Sequence, residues 1–131
     1  MVNEIFFSIQ GESSYAGWPC IFVRLTGCNL RCSYCDTPYA YDEGNPMTIA
    51  EILEEIKKIP CNLIEITGGE PLIQEETPSL INTLIENEYK VLLETNGSMD
   101  IGRINPKCVR IIDFKCPSSD MDHFNNFNNI N

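Results

Sequence analysis

The chain has 131 residues, which is enough for one domain around one hydrophobic core. Its net charge of −10, from 19 acidic and 9 basic residues, argues against the basic surface that nucleic-acid binding requires and favours a small-molecule substrate. The longest apolar run is far shorter than the roughly 20 residues of a membrane span, and no basic residue precedes the first apolar stretch as in a signal peptide. We therefore expect a cytosolic protein that binds no membrane.

The first predicted strand is the segment Cys20 to Thr26, which is rich in β-branched and aromatic side chains. Residues 28–46 are dense in Gly, Pro, Asn, Asp and Cys, a composition typical of a loop. Thr48 and Glu51 have the spacing of a capping box, which predicts a helix from Thr48 to about Lys58. The apolar face of this helix would comprise Ile49, Ile52, Leu53, Ile56 and Ile59, and Pro60 would end it.

Three more strands and one helix are predicted in the second half of the chain. The strands are Leu63 to Thr67, Lys90 to Glu94 and Val109 to Phe114, and the helix is Thr77 to Asn87, with Leu80, Ile81, Leu84 and Ile85 spaced for burial. Strands that alternate with helices predict right-handed βαβ units, a parallel sheet and hence an α/β fold. Ligands bind beyond the carboxyl ends of such strands, and here those ends are residues 28–37, 67–71, 94–97 and 113–119.

Three of the seven cysteines, Cys28, Cys32 and Cys35, lie within eight residues of each other. Cytosolic thiols stay reduced, so the group indicates metal binding or catalysis. Three thiolates would hold a 4Fe–4S cluster with one iron open to a second ligand. The alternative is a zinc knuckle completed by Cys20, Cys61 or His123, although zinc loops usually contain two separated pairs of ligands. The isolated thiols, those of Cys20, Cys61, Cys108 and Cys116, are expected to be mostly small buried apolar groups.

Two motifs resemble the signatures of the radical S-adenosylmethionine (SAM) superfamily. They are the C-x-x-x-C-x-x-C run from Cys28 to Cys35 and the segment Thr67-Gly68-Gly69-Glu70-Pro71 after the second predicted strand. The resemblance implies a 4Fe–4S cluster on Cys28, Cys32 and Cys35, with the amino and carboxylate groups of SAM on the open iron. It also implies that one electron cleaves SAM to methionine and a 5′-deoxyadenosyl radical. The implied fold is a partial (β/α) barrel of parallel strands, and the zinc alternative is then disfavoured.

Other segments resemble the 7-carboxy-7-deazaguanine synthase family within that superfamily. They are Phe7 to Ser13, Gly17 to Cys28, Cys35 to Thr37, Glu94 to Gly97 and Asp113 to Ser119. The resemblance implies conversion of 6-carboxy-5,6,7,8-tetrahydropterin to 7-carboxy-7-deazaguanine with loss of ammonia, in the biosynthesis of queuosine and related deazapurines. It also implies a requirement for Mg²⁺, a homodimer, and a reducing electron donor such as flavodoxin or ferredoxin.

The same resemblance implies roles for individual residues. The implied substrate-binding residues are Ile9, Gln10, Gly11, Glu12, Arg24 and Thr67. The implied SAM-binding residues are Gly68, Gly69, Glu70, Asn96, Asp113, Lys115 and Ser118. Thr37 would bind magnesium, which favours hard oxygen ligands. Arg24 lies in an otherwise apolar strand, where its guanidinium would suit a substrate carboxylate, and an ordinary buried ion pair is the alternative.

The resemblance covers residues 3 to about 120 and divides the chain into a radical SAM core, residues 1–119, and an Asn-rich tail, residues 120–131. Members of the family usually continue for several dozen residues, so we expect a shortened member or a fragment. Two other functions stay open. One is a small radical SAM activase that forms a glycyl radical on a partner protein and would need neither Gln10-Gly11-Glu12 nor Arg24. The other is an inactive metal-binding fragment.

Overall fold

Five strands form one sheet in the order β1-β2-β3-β4-β5, as seen in a computed structural model that describes residues 1–130. The strands are β1 Val2–Ile9, β2 Pro19–Leu25, β3 Leu63–Gly68, β4 Lys90–Thr95 and β5 Val109–Ile112, and the helices are α1 Ile49–Lys57 and α2 Thr77–Glu86. Strands β2 to β5 are parallel, and β1 pairs antiparallel with β2. The parallel sheet and both helices predicted from the sequence are therefore confirmed.

The sheet differs from the prediction at its first edge. Strand β1 was not predicted, although Val2–Ile9 is rich in β-branched and aromatic residues. It pairs with β2 over the whole of its length, and the rings of Phe6 and Phe22 stack across the pair at 5.0 Å. The sheet is consequently mixed, with four parallel strands and one antiparallel edge strand.

Both helices pack on one face of the sheet. The capping box of α1 is formed as predicted, with the Thr48 hydroxyl accepting from the Glu51 N–H and the Glu51 carboxylate accepting from the Thr48 N–H. The helices contribute Ile52, Ile56, Leu80, Ile81 and Leu84 to the main core, where they meet Ile21, Val23, Ile64, Ile66, Val91 and Leu93 of the strands. This core covers one side of the sheet because alternate strand residues point to opposite faces.

The other face of the sheet changes from apolar to polar along the strands. Its amino-terminal half is a smaller apolar cluster of Cys20, Phe22, Leu63 and Leu92, with Phe6, Tyr15, Cys61, Val109 and Ile111 packed against it. Toward the carboxyl ends of β2, β3 and β4 the same face carries Arg24, Glu65, Thr67 and Glu94. The polar half adjoins the edge at which ligands bind in parallel sheets.

The tail after residue 119 forms short 3₁₀ turns, Asp122–Phe124 and Phe127–Ile130. Its asparagines bind backbone groups of the core: Asn129 donates to the carbonyls of Gly97 and Met99 at 3.0 and 2.8 Å. The Phe127 ring stacks on Phe114 at 5.7 Å. Asn131, the last residue of the predicted tail, lies outside the described residues. No helix within residues 1–130 has both the length and the apolar character that crossing a membrane requires.

Candidate active site

The three clustered cysteines line one open cavity of about 220 Å³ at the carboxyl ends of the strands. All three thiols are free and partly exposed. The remaining wall comes from the segment after β1, from the cysteine loop and the residues that follow it, from the ends of β3 and β4, and from the chain after β5. It consists of Glu12, Leu30, Tyr34, Asp36, Thr37, Tyr41, Thr67, Gly68, Gly69, Glu94, Thr95, Asn96, Asp113 and Lys115.

The cysteine loop is held by its own backbone and by one buried side chain. Leu30 is 2% exposed and anchors the middle of the loop. The Arg31 guanidinium donates to the carbonyls of Cys28 and Leu30 at 2.8 and 2.7 Å, and it lies over the Tyr41 ring at 4.1 Å. Ser33 ties the far side of the loop to the chain after β5, because its hydroxyl donates to the Ser118 carbonyl at 2.7 Å.

The donor set fits an iron–sulfur cluster better than a zinc ion. None of the three residues considered as a fourth zinc ligand lines the cavity. Cys20 lies in the apolar cluster, Cys61 donates to the Pro19 carbonyl and His123 packs on Phe124. Within residues 1–130, no three Cys, His, Asp or Glu side chains converge on a single-ion site. A cubane cluster gives each thiolate its own iron, so its ligands surround a volume rather than converge on one point.

Gly68 and Gly69 let the end of β3 approach the cysteine loop. A Cβ on Gly69 would lie 2.7 Å from the Cys28 Cβ and would overlap the Gly27 carbonyl. Gly68 has a φ of +145°, and a Cβ there would overlap the backbone of Leu25 on β2. Both glycines also line the cavity. The clashing atoms belong to the backbone or are fixed by it, so only glycine allows the end of β3 to approach the cysteine loop this closely.

Glu70 lies behind the cavity wall and is completely buried. Its carboxylate accepts hydrogen bonds from the Leu72 N–H at 3.0 Å, the Thr95 hydroxyl at 2.8 Å and the Asn96 N–H at 2.8 Å. Burial raises the pKa of Glu70, and these hydrogen bonds act against that rise. In this structure the carboxylate joins the turn after β3 to the end of β4.

Four predicted SAM-binding residues lie after β4 and β5. Asn96, Asp113 and Lys115 line the cavity, whereas Ser118 is outside it and contacts the cysteine loop through its carbonyl. The Asn96 amide donates to the Asn29 side chain at 3.2 Å. Lys115 forms an ion pair with Asp113. Burial lowers the pKa of Lys115, but Asp113 and then the Cys32 thiol outweigh it and the net shift is upward.

The predicted substrate residues separate into two groups. Glu12 and Thr67 line the cavity, and the Thr67 hydroxyl donates to the Glu94 carboxylate at 3.0 Å. The charge of Glu94, and then burial, raise the pKa of Glu12. Gln10 is 3% exposed and lies outside the lining, because its side-chain amide donates to Glu65 and accepts from the Glu12 N–H. The Gln10 side chain is therefore occupied by contacts within the protein.

Ile9, Gly11 and Arg24 are not among the residues that line the cavity, whereas Thr37 is. The guanidinium of Arg24 donates to Glu4 at 2.8 Å and lies near the Phe6 and Tyr39 rings. Arg24 therefore forms an ion pair within the protein, which was the alternative to binding a substrate carboxylate. Gly11 is exposed, and Ile9 is 66% exposed at the end of β1. The Thr37 hydroxyl lies 4.0 Å from the Cys35 sulfur.

Two carboxylates of this region, Glu65 and Glu94, were given no role in the sequence analysis, although Glu94 belongs to a predicted ligand-binding edge. Glu65 is buried in the middle of β3, and Glu94 lines the cavity beside Thr67. The signal for Glu65 was a charged residue within the apolar segment Leu63 to Thr67, where a buried charge requires partners.

The comparison with protein families matches residues 22–112 to the radical SAM superfamily. The chain is 50% identical over 123 residues to the 7-carboxy-7-deazaguanine synthase of Chlorobaculum tepidum, covering 93% of this chain and 56% of that protein. It is 41% identical over 131 residues to the protein of the same name from Methanospirillum hungatei, covering 99% and 54%.

Among solved structures, QueE from Escherichia coli superimposes with a TM-score of 0.76 at 26% sequence identity, over 85% of this chain and 58% of that one. The chain spans about half the length of the curated relatives it matches. The family match covers more than half of this chain and includes the cysteine loop, Gly68 and Gly69. The protein belongs to the radical SAM superfamily.

Proposed function

We propose that the chain carries the reaction of a 7-carboxy-7-deazaguanine synthase, the conversion of 6-carboxy-5,6,7,8-tetrahydropterin to 7-carboxy-7-deazaguanine with loss of ammonia. The observation that carries the proposal is a single cavity lined by Cys28, Cys32, Cys35, Gly68 and Gly69, with a polar wall opposite. The names of the relatives from Chlorobaculum tepidum and Methanospirillum hungatei support this substrate over others.

Membership of the superfamily implies a 4Fe–4S cluster and SAM, which when bound supply hydrogen-atom abstraction from the substrate. Cys28, Cys32 and Cys35 would hold the cluster. Gly68, Gly69 and Asn96 would form the wall against SAM, with Asp113 and Lys115 beside it. Glu70 would support this wall from behind through its bonds to Thr95 and Asn96, and Ser118 through its bond to the cysteine loop.

The charge of the cavity supports a role for a divalent cation. Its lining includes four carboxylates, those of Glu12, Asp36, Glu94 and Asp113, against the one ammonium of Lys115. A substrate that carries a carboxylate would be repelled from such a surface unless a cation accompanied it. We propose that Mg²⁺ binds at the Thr37 hydroxyl, an oxygen ligand of the kind that magnesium favours.

The pterin would lie against the wall formed by Glu12, Thr67 and Glu94. The segment from Ile9 to Glu12 would bind it through backbone groups, since the Gln10 side chain is already hydrogen-bonded on both sides. For Arg24 to bind the substrate carboxylate, its guanidinium would have to leave Glu4 or use its terminal nitrogens. The side chain of Arg24 is only 15% exposed, so little of it is open to a ligand.

Three broader features belong to the same proposal. The chain would act as a homodimer in the cytosol, where its seven free thiols would stay reduced. A reducing protein such as flavodoxin or ferredoxin would supply the electron. Residues 1–119 would form the radical SAM core, and residues 120–131 a tail that braces the loop at Gly97 and Met99 through Asn129.

The direct test is an anaerobic assay of the reconstituted 131-residue chain with reductant, SAM, Mg²⁺ and 6-carboxytetrahydropterin. We expect 7-carboxy-7-deazaguanine as product. Cleavage of SAM without this product would overturn the substrate but leave the radical chemistry in place. A loaded cluster with neither reaction would indicate a metal-binding fragment, and glycyl radical formation on a partner protein would favour an activase.

The cluster is tested by its colour and by its iron content. The triple variant Cys28→Ala, Cys32→Ala, Cys35→Ala should lose both, whereas Cys116→Ala should keep them because Cys116 is exposed and outside the cavity lining. A brown triple variant with undiminished iron would contradict the assignment of the three ligands.

A further inference from the structure

Glu65 is a buried acid with no role in the function proposed above. It lies in the middle of β3, is 2% exposed and has the core residues Ile64 and Ile66 on either side in sequence. Its side chain points to the polar half of the second sheet face, the same face that carries Thr67 and Glu94 of the cavity lining. A buried carboxyl group is costly unless it is paired or neutral, so this residue requires an explanation.

Two hydrogen-bonding groups lie on either side of the Glu65 carboxyl. The Gln10 side-chain amide donates to one of its oxygens. Glu94 lies diagonally across on β4, because Glu65 is opposite Leu92 in the register and Glu94 is the next residue on the same face. Glu94 is near enough for its carboxyl group, after burial, to raise the pKa of Glu65.

The hydrogen bonds around the two acids are compatible with one proton shared between them. The Thr67 hydroxyl donates to Glu94, which is therefore an acceptor. The Gln10 amide donates to Glu65 with its nitrogen while its oxygen accepts from the Glu12 N–H. Two adjacent carboxylates, of which Glu65 is buried, repel each other, and one shared proton removes the repulsion and adds a hydrogen bond between them.

Glu65 is the acid that holds this proton. Burial, and then the neighbouring Glu94, raise the pKa of Glu65 to about 8, while Gln10 acts in the opposite direction. Glu94 is partly exposed at the cavity and accepts from Thr67. A neutral Glu65 accepts from Gln10 with its carbonyl oxygen and donates to Glu94 with its hydroxyl, so every hydrogen bond has one donor and one acceptor.

We infer that Glu65 is a positioning residue that, in its protonated form, fastens the segment Gln10-Gly11-Glu12 to Glu94 at the wall of the cavity. The inference rests on the proposed function in one respect, since this segment is part of the pterin site proposed above. The link would fix the backbone groups that meet the substrate and hold the Glu94 carboxyl group at the cavity wall. The ligand that depends on it is the pterin rather than SAM.

Other ionisable groups face Glu65 from the neighbouring elements. Strand β2 places Cys20 and Arg24 on the same face, and Glu12 lies on the segment above it. Arg24 is paired with Glu4, and burial raises the pKa of Cys20 to about 12, so neither removes the proton from Glu65 near neutral pH. Glu12 adds negative charge and favours the neutral form of Glu65.

The protonation of Glu65 is tested by carbon-13 NMR of the chain labelled at the glutamate carboxyl carbon. We expect one resonance to titrate near pH 8, to be missing in Glu65→Gln and to remain in Glu75→Gln, whose side chain is exposed. A Glu65 resonance that completes its titration below pH 6 would overturn the inference. The result depends on neither the cluster nor SAM.

The positioning role is tested by hydrogen exchange at the Glu12 N–H, which donates to Gln10. Glutamine at position 65 can offer an oxygen to Gln10 and an N–H to Glu94, so Glu65→Gln should keep the slow exchange at all pH values. In the wild type the protection of this N–H, which is the ratio of its intrinsic to its observed exchange rate, should fall above pH 8. In Glu65→Leu the protection should be low at every pH. Equal protection in all three proteins would overturn the positioning role, and the comparison with Glu65→Gln decides alone if Glu65→Leu does not fold.

In the active enzyme, Glu65→Leu should raise KM for the pterin several-fold and leave KM for SAM unchanged, and Glu65→Gln should restore the wild-type values. Equal changes in both constants would overturn the link to the substrate. If the wild-type chain forms no product while Glu65 titrates near pH 8, the proposed function fails and the protonated link stands.

Discussion

Side chains at the carboxyl ends of β3 and β4 divide into those that face the cavity and those that hold the strands together. Thr67 and Glu94 belong to the first group, and the fully buried Glu70 belongs to the second. The sequence motif Thr67 to Pro71 located this region but did not separate the two roles. The distinction depends on which way each side chain points, and that is fixed by tertiary contacts.

The first prediction concerns Glu70. Glu70→Ala should lower the free energy of unfolding by about 2–4 kcal/mol, because it leaves buried donors of Leu72, Thr95 and Asn96 without an acceptor. Urea unfolding measures the change. The matched control is the exposed Glu75→Ala, which should change the stability by less than about 0.5 kcal/mol. Equal stabilities of the two variants would show that the carboxylate does not hold the strands together.

Among the contacts between elements, the one between the end of β3 and the cysteine loop leaves the least space for an added side-chain atom. Gly69→Ala places a methyl group 2.7 Å from the Cys28 Cβ and into the Gly27 carbonyl, so the loop must move. We expect a loss of stability of about 1–3 kcal/mol and at least a halving of the iron bound per chain after reconstitution.

Iron analysis and the visible absorption of the cluster measure this effect. Gly11→Ala is the control for cluster loading, since a Cβ at Gly11 meets no atom within 4 Å. If Gly69→Ala binds as much iron as Gly11→Ala, the contact between the end of β3 and the cysteine loop can accommodate a methyl group and the prediction is wrong.

The asparagine-rich tail is an element to which the sequence analysis assigned no secondary structure. Asn129→Ala should destabilise the chain by about 1–2 kcal/mol, because two hydrogen bonds to the carbonyls of Gly97 and Met99 are lost. Asn128→Ala, at an exposed neighbouring position, should have little effect. Chemical unfolding of the two variants compares them directly, and the prediction is wrong if their midpoints coincide.

At the scale of the whole molecule, the sequence was sufficient for the parallel half of the fold. The βαβ order of β2, α1, β3, α2 and β4 follows from hydrophobic spacing, from the cap at Thr48 and from Pro60. Strand β1 and the buried network around Glu65 were not predicted. Both depend on pairing between segments far apart in sequence, as in Gln10 with Glu65, which local patterns do not encode.

The same limit applies to the cavity. Ligands bind beyond the carboxyl ends of parallel strands, and this rule predicted the segments that contain Thr37, Thr67, Asn96, Asp113 and Lys115. All five residues line the cavity. It could not exclude Ser118 or reveal that Gln10 is occupied by Glu65, because spacing along the chain does not give the direction of a side chain. Residue type and strand register predict the place of a site, and packing decides which atoms face it.

The last prediction is the dependence of stability on pH for the whole chain. Burial, and then Glu94, raise the pKa of Glu65 in the folded state to about 8, above its ordinary value of 4.5. The folded chain therefore holds a proton that the unfolded chain has lost between about pH 4.5 and 8. The stability that this proton provides is fully present below pH 4.5 and is lost as the pH rises to 8, at up to about 1.4 kcal/mol per pH unit.

Urea unfolding at pH 5.5, 6.5, 7.5 and 8.5 should show the decline in the wild type. The decline should be shallower in Glu65→Gln, because glutamine does not titrate. Parallel curves of unfolding free energy against pH for the two proteins would mean that Glu65 is ionised in the folded chain. The decline would then come from other groups, such as Glu70, whose pKa burial also raises.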